Sequence, residues 1–194
     1  MAANRLAIPP QRPSVASPRG GKAPLGRPGG RGDVAASGLP PVLPREARVL
    51  VLGSFPGVAS LAARQYYAHP RNHFWPVMGA LLGEPLPELP YALRLARLRV
   101  RGVALWDTIV ACERVGSSDQ SIRNAERAEV ARVRRASPRV EVVAFNGNTA
   151  ARALPRWREA GYRTLALPST SPAYTRPFAE KLAAWRALAA WLDP

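Results

Sequence analysis

The chain carries four short apolar runs, and each one stops at a polar or glycine-bearing loop: "RVLVL" before "GSFPG", "GVALW" before "DT", "VEVVAF" before "NGN" and "YRTLAL" before "PSTSP". Strands buried on both faces read as continuous apolar runs, whereas strands with one wet face alternate. Between and after the runs, stretches with a helical period predict helices in "HFWPVMGALLG", closed by Gly83, and "PYALRLARLRVRG". Others are predicted in "RNAERAEVARVRRA", in "NTAARALPRWREAG", closed by Gly161, and in "RPFAEKLAAWRALAAWL". Strands and helices in alternation call for parallel pairing through crossovers. The expected fold is therefore α/β, a three-layer α/β/α sandwich around a short four-stranded parallel sheet.

Open sheets of this kind bind ligands beyond the carboxyl ends of their strands. The four loops named above all lie there and converge on one crevice. The first is followed, after "VASLAARQ", by "YYAHPRNHFW", which brings in aromatics, both histidines and an asparagine. Gly53 and Gly57 allow a tight exit and a close backbone approach, yet the stretch is neither GxGxxG nor a Walker A pattern, so no nucleotide cofactor is expected. Tyr66, Tyr67, Phe74 and Trp75 beside Arg64 and Arg71 offer the aromatic and cationic mixture that stacks bases and neutralises phosphates. Phe74 and Trp75 also suit the core of the following helix, and Tyr67 is the better stacking candidate. Asn72 and Asn146 either orient a water or a base edge, or serve as turn and cap residues. Ser169, Thr170 and Ser171 either cap the last helix or grip phosphate.

Charge points to the partner. Lys and Arg number 28 against 13 Asp and Glu, a net of +15, and only Lys22 and Lys181 are lysines. A compositional bias towards arginine is the competing explanation, but a polyanion is the natural counterpart. Residues 1–42 are dense in Pro, Gly, Ser, Ala and Arg without any period, and are expected to form a disordered basic arm of net +5. Residues 43–194, with a net of +10, make one domain. No apolar run is long enough to span a membrane and no leader is evident. The expectation is a soluble cytoplasmic protein of bacterial type, nucleoid-associated and monomeric, with nucleic acid rather than membrane as partner. Cys112 is the only cysteine, so neither a disulfide within the chain nor a thiolate cluster can form. His69 and His73 lack the nearby carboxylate of a metal-binding pattern, and metal-free chemistry is expected.

Taken together, "LVLGSFPG", "SLAARQYYAHPRNHFW", "GVALWDTIVACERVGSSDQSI", "AFNGNTA" and "LPSTSPAY" resemble the uracil-DNA glycosylase superfamily, most of all its deoxyinosine (hypoxanthine) branch, with the mismatch-specific uracil/thymine enzymes as relatives. The resemblance implies a base-flipping enzyme that hydrolyses the N-glycosidic bond of a deaminated base, uracil or hypoxanthine, and leaves an abasic site for base excision repair. Under it, the loop from Gly53 to Gly57 forms the water and pocket motif, with Phe55 and Gly53 against the base. Tyr67 stacks under the flipped base, Asp107 falls near a base-contacting amide of relatives, and Asn146 lines the reading edge. Asn72 positions the attacking water, with Ser54 and His69 as further catalytic candidates. Ser169, Thr170 and Ser171 press on the phosphates and fill the gap left by the base, with Arg71 on the DNA backbone. Two departures stand out: Phe55 occupies a place where many relatives carry Asp or Asn, and Leu167 one where many carry His or Asn.

Neither lysine belongs to a strand-end loop, so a Schiff-base lyase step is not expected. The competing reading is a non-catalytic module for damaged or single-stranded DNA. A small-molecule α/β hydrolase is disfavoured by the absence of a GxSxG elbow.

Overall fold

The computed structural model describes residues 34–192. Its centre is a four-stranded parallel sheet in the order β3-β2-β6-β7, with β2 Val49–Gly53, β3 Val103–Asp107, β6 Val142–Asn146 and β7 Arg163–Leu167. Every residue of β2, β3 and β6 is buried, as their unbroken apolar runs require. Alternate side chains divide between two cores. Val49, Val51, Val103 and Leu105 pack under α2 Phe74–Leu82, α3 Tyr91–Val100 and α7 Phe178–Trp185, in a core with Phe74, Trp75, Met78, Leu98 and Trp185. Leu50, Leu52, Ala104 and Trp106 pack on the opposite face with Val133 of α4 Val130–Ala136, Ala150 of α5 Asn148–Ala151 and Trp157 of α6 Leu154–Glu159. The predicted three-layer sandwich is the observed one.

Helix α2 shows how local chemistry sets the bounds. Pro76 sits in its first turn, where the missing N–H has no intrahelical partner to lose. Gly83 ends it at φ +65°, returning its N–H to the Gly79 carbonyl.

Four expectations need correction. Ordered structure begins before residue 42: β1 Val34–Ser37 pairs antiparallel with β4 Ile109–Arg114, and Leu39 and Val42 are buried. The rest of the predicted arm, residues 1–33, lies outside the described residues. A second sheet, β1-β4-β5, is present, and "RNAER", expected to open a helix, is its edge strand β5 Arg123–Arg127. That strand is exposed throughout, so backbone pairing to β4 holds it and no apolar alternation announces it. The helix predicted across "NTAARALPRWREAG" breaks into α5 and α6, because Pro155 cannot donate to Ala151 and its ring crowds that carbonyl. The last helix likewise tightens after Trp185 into a 3₁₀ segment, Arg186–Trp191.

Candidate active site

The strand ends and the β4–β5 hairpin enclose a cleft of about 780 Å³. Its floor follows from sheet register, which sets Gly53 opposite Asp107 at the ends of β2 and β3. A Cβ at position 53 would collide with the Asp107 carboxyl group and would lie 3.4 Å from the Tyr67 hydroxyl, so glycine is what lets both groups reach the floor. Asp107 is 4% exposed, and its Oδ2 has no hydrogen-bond partner. Burial first, and the nearby Asp119 second, push its carboxyl up to about 8 against the opposing pull of Arg114.

Tyr67 takes a left-handed backbone, φ +56°, uncommon for an aromatic residue and costing on the order of 1 kcal/mol. Its ring lies stacked on Phe74, centroids 3.9 Å apart and planes at 22°, while it also lines the cleft. Its hydroxyl is buried without a well-formed hydrogen bond, and burial, followed by Asp107, raises its pKa against the opposing pull of the Asn146 side chain. Phe74 is fully buried, the core position expected for it, and so becomes the backing plate of Tyr67. Tyr66 lies on the cleft wall too, its hydroxyl donating to the Leu39 and Pro40 carbonyls at 3.4 and 3.2 Å.

Asn72 lines the cleft at the start of α2. Its Oδ1 accepts the Phe74 N–H at 3.0 Å, so the turn role and the cleft role coexist: the helix terminus fixes the amide and leaves its nitrogen free to face a ligand. His69 also lines the cleft, with Nδ1 accepting the Arg71 N–H at 3.2 Å, which puts the proton of the neutral ring on Nε2. The Arg71 side chain is exposed and forms no part of the cleft wall. His73 turns away, its ring edge-on to Phe178 at 5.5 Å.

Asn146 is buried at the end of β6 and mostly committed: Nδ2 donates to Thr170 Oγ1 and Oδ1 accepts the Thr170 N–H, both at 2.8 Å. The Thr170 carbonyl in turn accepts the His73 N–H at 2.9 Å, joining three strand-end loops in one chain of bonds. Thr170 is fully buried, which corrects its assignment to the phosphate contacts: it is a tie between loops. Ser169 and Ser171 are half-buried on the cleft wall. Gly147, at φ +96°, lets the loop lie this close, since a Cβ there would stand 2.9 Å from Ser169 Cβ. Leu167 is a core residue.

The first loop is held from the missed hairpin. Arg114 of β4, 6% exposed, donates Nη2 to the Pro56 carbonyl at 2.6 Å and lies over the Phe55 ring at 4.7 Å. Ser54 donates its hydroxyl to Asp119 at 2.8 Å, and Ser117 accepts the Val58 N–H at 2.9 Å. Arg114, Ser117 and Asp119 are the residues that sequence reasoning overlooked; "CERVGSSDQS" reads as a polar connection and gives no sign that it folds back on the cleft. Lys181 lies in α7, outside the strand-end loops as expected, yet it reaches one of them. It is buried, and its ammonium donates to the Tyr174 and Ser171 carbonyls at 2.7 and 3.4 Å.

Among the described residues no group of three or more His, Cys, Asp or Glu could hold a metal ion, and no helix is long and apolar enough to cross a membrane. The floor can instead hold a flat polar ligand, one ring face on Tyr67 and a heteroatom on Asp107.

The chain is similar to known proteins. A protein of Methanosarcina barkeri named hypoxanthine DNA glycosylase is 35% identical over 148 residues, 76% of this chain and 94% of the relative. A Methanosarcina acetivorans protein of the same name is 34% identical, over 78% and 96% of the two chains. A solution NMR structure from Methanosarcina acetivorans, of a protein proposed to be a uracil DNA glycosylase, superposes with TM-score 0.71 at 33% identity and covers 80% of this chain and 99% of that one. Residues 40–192 match the Uracil DNA glycosylase superfamily, and the chain belongs to that family.

Proposed function

We propose that the protein is a monofunctional DNA glycosylase that takes a deaminated base out of the duplex, hydrolyses its N-glycosidic bond and leaves an abasic site. The observation that carries this reading is the cleft floor, where a strained, Phe74-backed Tyr67 ring stands beside buried polar atoms that lack protein partners. Two relatives named for hypoxanthine favour that base, with uracil second. Both bases present a carbonyl and an N–H where adenine and cytosine present an amino group.

In this reading Asn72 orients the attacking water. An amide cannot take the proton as a strong base, so the barrier falls mainly through placement and through stabilisation of the departing base. His69 and the Ser54–Asp119 pair border the same space. Ser169 and Ser171 meet the flanking phosphates, and the net positive charge supplies attraction independent of sequence. No lyase step is expected of Lys181, whose ammonium is buried against two carbonyls; Lys22 lies outside the described residues. DNA is the substrate and partner; a cytoplasmic location accords with that role.

The test is base release from labelled oligonucleotides carrying deoxyinosine or uracil, single- and double-stranded, with alkali to reveal abasic sites. Release from deoxyinosine, lost in Asn72→Ala while DNA binding persists, is expected. Tight binding of damaged DNA with no release from any substrate would make the protein a binding module on the same fold.

A further inference from the structure

We propose that Asp107 works as a neutral carboxylic acid, donating its O–H to a carbonyl oxygen of the departing base, and that its ionisation ends base release. The inference rests on the glycosylase reading and specifies how the cleft handles the charge of the leaving group.

The geometry comes first. Asp107 lines the floor of the cleft, with Oδ1 against Gly53 and Oδ2 buried and unpaired behind it. A carboxylate in such a place would want several donors, and none is supplied. Arg114, the cation that acts on it, turns Nη2 to the Pro56 carbonyl and its face to the Phe55 ring; its Nη1 is buried without a partner and makes no hydrogen bond to the carboxyl. The other groups facing Asp107 are Tyr66 and Tyr67 from the loop before α2, both held neutral by burial, and Asp119 from the hairpin, a further negative charge. Gly53 lies against the carboxyl and brings no charge. The elevated carboxyl pKa, pushed up to about 8, agrees with this arrangement.

The consequence is chemical. When the C1′–N bond breaks, its electron pair stays on the base, and the charge collects on the carbonyl oxygens. Water oxygen bonds to C1′, and the proton that water loses ends on the base. Asp107 contributes a hydrogen bond and is not consumed. An ionised Asp107 would offer only lone pairs and a like charge to that oxygen, and so would raise the barrier it is placed to lower.

The experiment is single-turnover release of hypoxanthine from deoxyinosine DNA between about pH 6 and pH 9.5, for wild type, Asp107→Asn and Asp107→Ala. Wild-type release should fall about tenfold per pH unit once the carboxyl ionises near 8. The asparagine variant, whose amide donates at every pH, should be flat and exceed the alanine variant by about 100-fold at neutral pH. An alkaline limb shared by wild type and Asp107→Asn, or a wild-type rate that stays flat, overturns the proposal. If circular dichroism shows that the asparagine variant does not fold, the alanine variant carries the pH test through its residual rate. If no base is released by wild type at all, calorimetric titration with free hypoxanthine separates the two readings. Binding that weakens at high pH only in wild type would support the neutral acid while removing the glycosylase, and absence of binding would remove both.

Discussion

Asp107 should leave a signature in stability as well as in catalysis. In an unfolded chain its carboxyl ionises near 3.8, whereas the folded protein holds the proton until about 8. Across that window the unfolded state binds fewer protons, so stability falls as pH rises; the loss begins near 4 and is complete above about 8. Each pH unit is worth on the order of 1 kcal/mol, which makes the full penalty several kcal/mol, a large part of what holds a typical domain together. Asp107→Asn keeps the shape and removes the titration. Urea melts of both proteins at about pH 5, 7 and 9 should therefore diverge, the variant gaining on wild type by roughly 2 to 4 kcal/mol between the extremes. Stability curves that run parallel with pH would mean that Asp107 ionises alike in both states, and that the burial argument for its neutral form is wrong.

Two further outcomes follow from the loop ties. Thr170→Val keeps the methyl and the backbone bond to Asn146 but strands a buried amide N–H, so stability should drop by about 1 to 3 kcal/mol, read as roughly 2 to 10 °C in Tm. Lys181→Met should unfasten the Ser171–Tyr174 turn, lowering Tm and raising KM for DNA more than it lowers kcat, and neither it nor wild type should be trapped on an abasic site by borohydride.

The parallel sheet was legible because burial on both faces writes itself as unbroken apolar runs, and β2, β3 and β6 are buried at every position. The turn after Leu82 was legible for a local reason, the left-handed Gly83. The antiparallel sheet was not, since β5 is wholly exposed and its pairing is a matter of backbone bonds. With that hairpin went Arg114 and Asp119, whose importance comes from folding back over "GSFPG" across more than fifty residues of chain. Asn72 and Tyr67 could be picked out by type and spacing. Only coordinates reveal that Thr170 faces inward, or that Asp107 has no partner.

The chemistry that remains when Phe55 and Leu167 stand in place of polar groups has a measurable shape. Phe55 is buried under Arg114 and Leu167 belongs to the core, so neither can be recruited to activate water. Under the proposed glycosylase reading Asn72 holds a water but cannot deprotonate it, which would leave the bond to the base well broken before the water bond is far advanced. In such a transition state most of the charge sits on the leaving base, and the rate should follow that base's acidity. Replacing hypoxanthine by purine analogues of graded acidity, in otherwise identical DNA, should give release rates that rise with acidity across the series. Single-turnover rates are the quantity to compare, because steady-state values also contain product release. Rates indifferent to the leaving base would put the barrier in water attack or in base extrusion, and a donor such as Asp107 would then have nothing to stabilise.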